Sequence, residues 1–311
     1  MSVTKSEWYR TAADGAKIFS RSWAGEQPDG VLVIAHGMAE HSARYDALAC
    51  YLAEGGFAVY MNDHRGHGQT GPVDGWFAEE NGWEKVVEDL HDLAREAAGQ
   101  HPGLPVFLLG HSMGSFLARS YLTRYGEELA GCILSGTAGA NPSLEMAMKL
   151  AGLQCKVRGS RSKGKLLNKL AFGAYNKQIE KPVNQFAWLS TDDQVCRVYE
   201  ADPKCGFCFT AGGFKDLFTG LLEIGAPEWA GKVPKKLPVY LIAGDRDPVG
   251  AYGAGPTQVT QSLKDAGVED VSLTLYAGMR HECHNEQGKE QVWQDVLGWL
   301  DEHLPREETA P

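Results

Sequence analysis

The sequence has no long apolar run. Stretches such as Val31–Ala35 and Val106–Leu109 are four or five residues long, whereas a membrane-spanning helix needs about 20. No apolar stretch follows Lys5 in the opening Met1-Ser2-Val3-Thr4-Lys5-Ser6-Glu7, so a secretory leader is not expected and a cytoplasmic location is. Cysteine is sparse and odd in number: 7 residues scattered over 311 do not make a disulfide framework, and most read as small buried apolar residues. The one C-x-x-C, Cys205-Gly206-Phe207-Cys208, has no second pair, which excludes a zinc ribbon, and no thioredoxin-like surroundings; its cysteines read as structural. An excess of positive charge is also missing. A formal charge of −10 argues against nucleic acid as a partner, because phosphate binding needs clustered Lys and Arg.

What is present is an ordinary globular composition, 43 % apolar and 23 % charged, long enough for one large domain with an insertion. Short apolar runs alternate with segments of helical period, the pattern of a mostly parallel sheet flanked by helices. Residues 5–11 and 15–23 read as a hairpin around Asp14-Gly15. Strands are expected at 31–35, 57–61, 106–109, 132–135, 239–243 and 271–276. Helices are expected at 45–54, 83–98, 115–125, near 258–266 and at 290–303. The helix over 83–98 has Val86, Val87, Leu90 and Leu93 on one face and Glu88, Asp89 and Glu96 on the other. The alternation lapses between residues 136 and 236. This gives a core in two parts, 1–135 and 237–311, with 136–236 read as an inserted lid. The polar tail Arg306–Pro311 is expected to fray.

Chemistry enters at Gly110-His111-Ser112-Met113-Gly114, a Gly-x-Ser-x-Gly turn between a strand and a helix. Such a turn is too tight for side chains at its glycines, and it lifts the serine hydroxyl at the carboxyl end of the strand beside the helix N-terminus. Ser112 is therefore the expected nucleophile. A base and an acid should follow it at the ends of later strands. Asp247, in Gly244-Asp245-Arg246-Asp247-Pro248-Val249, and His281, in Gly278-Met279-Arg280-His281-Glu282, sit there. Histidine would take the serine proton and the carboxylate would hold the tautomer. Asp245 lies closer to its strand and reads as a turn former, and His284 as a neighbour of the base. The strand 31–35 runs into His36-Gly37-Met38-Ala39, so the N–H groups of Met38 and Met113 are the expected oxyanion donors. His36, His64 and His67 have no carboxylate or cysteine at ligand spacing, and no metal is expected.

Taken together, His36-Gly37-Met38-Ala39-Glu40-His41-Ser42, Asp63-His64-Arg65-Gly66-His67-Gly68, Gly110-His111-Ser112-Met113-Gly114, Asp247-Pro248-Val249 and His281-Glu282 with Asn285-Glu286 resemble the monoglyceride lipase and lysophospholipase group of α/β-hydrolases, which is filed with serine aminopeptidase-like hydrolases. The motifs cover the core on both sides of the insertion. The resemblance implies an α/β-hydrolase fold, cleavage of single-chain lipid esters without a cofactor, and a partly apolar lid over an acyl channel. Gln69-Thr70-Gly71 departs from the serine and glycine that usually end the second motif, and it does not touch the triad. His36, Gly37 and His111 beside the nucleophile, and Leu144, Met148, Trp188 and Phe207 in the lid, are the expected substrate contacts, with Phe209 and Phe214 as further candidates for the pocket or for core packing.

The lid has a charge pattern of its own. From Met146 to Ile179 there is no Asp or Glu, and Lys149, Lys156, Arg158, Arg161, Lys163, Lys165, Lys169 and Lys177 contribute eight positive charges. A stretch of +8 within a total of −10 leaves −18 elsewhere. A basic lid on an acidic body reads either as a solvated face or as a surface for anionic lipid, with Ser143–Leu153 able to cover an acyl chain or dip into an interface. Two other functions are carried forward. An aminopeptidase-like amidase would need an acid in the lid, such as Glu180, Asp192 or Asp193. A non-catalytic binding protein would be expected to have lost part of the triad.

Overall fold

A computed structural model describes residues 2–305; the tail at 306–311 lies outside the described residues. The chain opens with the expected hairpin, β1 (Thr4–Thr11) and β2 (Lys17–Ala24). Gly15 turns it at φ +83°, and the Asp14 carboxylate accepts the Ala16 N–H. The core then builds as β3 (Gly30–Ala35), α1 (Asp46–Glu54), β4 (Phe57–Asn62), α2 (Gly82–Gln100), β5 (Val106–His111), α3 (Met113–Tyr125) and β6 (Gly131–Ser135). Four helices follow, α4 (Leu144–Arg158), α5 (Lys165–Phe172), α6 (Asp193–Ala201) and α7 (Ala211–Gly225). The sheet resumes with β7 (Val239–Gly244), α8 (Ala254–Asp265), β8 (Val271–Tyr276) and α9 (Lys289–Glu302).

The eight strands form one sheet in the order β1-β2-β4-β3-β5-β6-β7-β8. Only the β1–β2 and β2–β4 pairs are antiparallel. β3, β4, β6 and β7 are buried along their whole length, which is why they read as unbroken apolar runs. Helices cover both faces. One core joins the sheet to α2, α3, α8 and parts of the insertion, and the other joins it to α1 and α9. Val86, Val87, Leu90 and Leu93 of α2 are fully buried, each contributing about 1.5–3 kcal/mol.

Three helix starts differ from the sequence reading. A short 3₁₀ turn, Ser42–Tyr45, precedes α1. α3 begins at Met113 because the backbone of Ser112 itself makes the turn. α8 begins at Ala254, ahead of Pro256; proline is tolerated in a first helical turn, where its N–H has no intrahelical partner. Between Ser135 and Val239 the chain is helical and adds nothing to the sheet. It is not uniform. α7 packs on α2 and α3, and a Cβ on Gly220 would stand 2.0 Å from the Trp83 ring. α4 and α5 lie outside α7 and present Met146, Leu153, Val157, Leu166 and Leu170 to solvent. Among the described residues no helix is long and apolar enough to cross a membrane.

Candidate active site

The turn after β5 explains both of its glycines. A Cβ on Gly110 would lie 2.3 Å from the Gly114 carbonyl oxygen, and one on Gly114 would lie 1.9 Å from that of Ala35. Ser112 between them sits at φ +53°, ψ −119°, a conformation that costs a non-glycine residue about 1–3 kcal/mol and persists only where its surroundings hold it. They do: the Ser112 N–H donates to the Ser135 carbonyl at 2.9 Å, and its own carbonyl accepts the Ser115 N–H and hydroxyl. The strain leaves the serine side chain half-buried at the end of the sheet.

β7 and β8 end beside it. Asp247 Oδ2 lies 2.9 Å from His281 Nδ1, both side chains being buried. Asp247 Oδ1 accepts the Val249 N–H, which fixes the carboxylate. Gly136, one residue past the partner of the Ser112 amide, packs on the imidazole; its Cβ would lie 3.1 Å from Cε1. The Ser112 amide and the His281 ring thus both pack at the end of β6. With Nδ1 occupied, His281 Nε2 is buried and has no partner among the described residues. Ser112 Oγ likewise makes no hydrogen bond within them, and catalytic hydrogen bonds are often long or poorly aligned before substrate binds. Burial alone would lower the His281 pKa, but the adjacent Asp247 charge outweighs it and raises it. Asp245, the competing acid, accepts the Gly278 N–H and holds the loop. His284 stacks on Tyr45, with ring centroids 4.8 Å apart.

The loop after β3 is built to leave one amide free. The Gly37 N–H donates to Glu40 Oε1 at 2.6 Å and the Ala39 N–H to His67 Nε2 at 3.1 Å. The Met38 N–H between them finds no acceptor among the described residues, and the Met113 N–H opens α3, where no carbonyl precedes it in the helix. Gly37 packs on Ser112, its Cβ position being 3.2 Å from Ser112 Cβ. His36, His64 and His67 form a cluster of tilted and edge-on rings held to the backbone: His36 Nδ1 bonds to the Gly37 carbonyl, its Nε2 to the His64 N–H, and His67 Nδ1 to the Arg65 carbonyl. Burial pushes His64 to about 3 and His67 to about 4, so both are neutral braces.

Residues with no role assigned from the sequence complete the site. Arg44 reaches the Glu282 carboxylate with two bonds of 2.7 Å and also meets Glu40, which accepts the Tyr45 hydroxyl. Burial alone would raise Glu282, but Arg44 prevails and holds its carboxyl below the usual carboxylate range. This buried ion group ties the residue after His281 to the loop bearing Met38. Glu286 accepts the N–H groups of Thr191 and Arg280 and the hydroxyls of Ser190 and Thr191. Arg280 donates to the carbonyls of Ala187 and Ser190, and the Glu282 N–H to that of Leu189. The insertion is therefore stitched to the histidine loop over residues 187–191.

That stitching places Trp188 against His281, with centroids 5.1 Å apart, and Tyr175 and Phe172 stand behind it. His111 also packs on His281, at 4.8 Å. The other expected contacts fall elsewhere. Phe207 packs on His67 and Phe209 below the β3 loop. Leu144 is buried in α4, and Met148 packs on the same core with its sulfur 4.0 Å from the Thr219 hydroxyl of α7. Phe209 and Phe214 are fully buried in core packing.

Residues 26–288 match the family described as "Serine aminopeptidase, S33". A monoacylglycerol lipase from Mycolicibacterium smegmatis is 32 % identical, covering 98 % of this chain and 100 % of that protein. The human monoglyceride lipase is 29 % identical over 96 % of this chain and 91 % of its own. Among solved structures, a thermostable carboxyl esterase from Bacillus coagulans in complex with glycerol superimposes with a TM-score of 0.88 at 30 % identity, covering 98 % of this chain and all of that one. With its sheet order, its elbow and these matches, the chain belongs to the serine aminopeptidase S33 family of α/β-hydrolases, in the group of the monoglyceride lipases.

Proposed function

We propose that this carboxylic ester hydrolase cleaves single-chain lipid esters, a monoacylglycerol or a lysophospholipid, through an acyl-enzyme on Ser112. One observation carries the reading: an imidazole held by Asp247 at Nδ1, with an unpartnered Nε2, beside a serine in strained backbone. Ser112 Oγ attacks the ester carbonyl carbon and its proton passes to His281 Nε2. The carbonyl oxygen becomes an anion facing the Met38 and Met113 N–H groups, each worth about 3 kcal/mol to the transition state. Collapse breaks the ester C–O bond, and the alcohol leaves with the proton from His281. Water then gives a proton to His281 and attacks the acyl carbon. The fatty acid departs, and Ser112 recovers its proton.

The lipid class rests on relatives that carry the names monoacylglycerol lipase and monoglyceride lipase, and on residues 136–236 acting as a lid. The outer helices α4 and α5 present exposed Met146, Leu153, Val157, Leu166 and Leu170 among Lys149, Lys156, Arg158, Lys165 and Lys169. An apolar stripe edged with cations suits an anionic lipid surface. A cytoplasmic setting goes with this reading, since all seven cysteines are free. The amidase reading is weaker: Asp192 spends its carboxylate capping α6 through the Gln194 N–H, and Glu180 is exposed. A panel of monoacyl esters against aminoacyl amides tests the assignment. Esters are expected to turn over and amides not, a fluorophosphonate is expected to label the wild type, and Ser112→Ala should lose both label and turnover by several orders of magnitude. An unlabelled wild-type protein would establish a binding protein instead.

A further inference from the structure

His41, three residues past Met38, reaches the insertion. Its Nε2 lies 2.9 Å from Asp202 Oδ2, and with Cys205 the three side chains bring one nitrogen, one oxygen and one sulfur within 4.8 Å of one another. They come from distant parts of the chain. His41 follows β3, while Asp202 closes α6 and starts a tight turn in which its carbonyl accepts the Cys205 N–H and its Oδ1 the Lys204 N–H. The thiols of Cys196, Cys208 and Cys283 each bond to a backbone carbonyl. Cys205 is 8 % exposed, and its thiol has no such partner among the described residues and lies close to the other two groups. Asp202 and His41 keep an edge toward solvent, with side-chain exposures of 31 % and 15 %.

From this geometry we infer a binding site for a thiophilic divalent cation of the zinc and cadmium class. A nitrogen, carboxylate and thiolate set suits such an ion, with a fourth position left to water. The Arg44 guanidinium acts on the Cys205 sulfur more strongly than any one of Glu40, Asp202 and Glu282, which oppose it. Binding replaces the His41–Asp202 hydrogen bond with three metal–ligand bonds, and the Cys205 proton leaves to solvent. Occupancy also has a mechanical effect. The carbonyl of Ala39, next to Met38, already accepts the Gly206 N–H at 2.9 Å and the Tyr199 hydroxyl at 2.7 Å. A metal at His41 and Cys205 adds a cross-link beside these bonds and clamps the Met38 loop to the insertion, which slows ester turnover. Only this last effect rests on the proposed function.

Cadmium titration of the full chain tests the site directly, through the ultraviolet thiolate-to-cadmium charge-transfer band. The wild type is expected to develop the band with one ion per chain and to lose it when zinc competes. Cys205→Ser should abolish it, Asp202→Asn should weaken binding at least tenfold, and Cys208→Ser, altering the other half of the C-x-x-C, should retain it. A band that survives Cys205→Ser, one that disappears with Cys208→Ser, or none in the wild type at equimolar cadmium overturns the site. Ester turnover should fall with the same midpoint as binding, and that fall should be absent in Cys205→Ser. Undiminished turnover at full occupancy refutes the clamp, whereas inactivity of the metal-free wild type refutes the ester reading and leaves the binding result standing.

Discussion

Replacing Gly37 by alanine adds a single methyl at a position the structure leaves no room for. That carbon would stand 2.7 Å from Glu40 Oε1, 3.2 Å from Ser112 Cβ and 3.4 Å from His111 Cδ2. Glu40 cannot yield cheaply. It is buried, accepts the Gly37 N–H and the Tyr45 hydroxyl, and pairs with Arg44, which is itself held by Glu282. The loop must move instead, by a few tenths of an ångström away from the nucleophile, and the Met38 N–H moves with it. A preorganised donor is worth its full amount only when aimed at the developing oxyanion. Losing it should cost about 3 kcal/mol, or on the order of 10²–10³ in kcat. Because the donor acts mainly in the transition state, KM should change little. Overpacking should lower stability by about 1–3 kcal/mol, a few degrees in Tm for a chain of this size. Steady-state hydrolysis of a short-chain monoacyl ester, with Tm from thermal denaturation, separates the two effects. If Gly37→Ala kept kcat within about threefold of wild type while Tm fell, the Met38 loop would have no part in stabilising the oxyanion.

Other outcomes follow from the same geometry. Asp247→Asn should cost on the order of 10⁴ in kcat by holding the wrong tautomer. In the proposed mechanism His281 works as a neutral base, and its pKa is raised, so kcat/KM in the wild type should rise with pH through a midpoint above the ordinary histidine value of about 6.5, and a stopped assay across pH should find that midpoint lower in Asp247→Asn. Burial pushes the Asp216 carboxyl up to about 7; a raised carboxyl favours the fold below its unfolded pKa and loses that contribution as pH rises through the folded one. Asp216→Asn, still able to accept the Gly82 N–H, should therefore raise Tm relative to wild type at pH 8, with the gain gone near pH 4. Reversing Lys156, Lys165 and Lys169 to glutamate should weaken sedimentation with anionic vesicles at least tenfold at low salt; equal wild-type binding to anionic and neutral vesicles, indifferent to salt, would dispose of the membrane role of α4 and α5.

How much of this was legible beforehand depended on how local each signal is. The elbow could be read because its geometry is set within five residues, and the coordinates supply the reason: each glycine faces backbone at under 2.5 Å. Asp247 and His281 could be read because a strand ending in a loop is itself a local pattern, and the fold brings such ends together. Which apolar residues α4 turns outward could not be read. Leu144 and Met148 were expected at the acyl chain, yet they turn toward the core while Met146, Leu153 and Val157 face out. A helix with apolar residues on two faces does not announce which one its partner will cover, and the partner, α7, lies some fifty residues further on.

The ion group was out of reach for the same reason in stronger form. Arg44 and Glu282 are separated by 238 positions, and nothing in the composition around either one marks a pair, since most charged residues lie in water. Glu40 and Arg44 stand four apart and would pass for a helical surface pair. What identifies them is burial, which only the tertiary structure creates. Once buried, no member can be removed without leaving the others uncompensated, so the group bonds the loop that carries Met38 and the loop that carries His281 into one unit. The insertion reaches that unit through Glu286, Arg280 and the Ala39 carbonyl. The part of the insertion over the imidazole is therefore bonded into the catalytic frame, while the exposed apolar and basic residues lie on α4 and α5, where the hydrogen bonds to that frame do not reach.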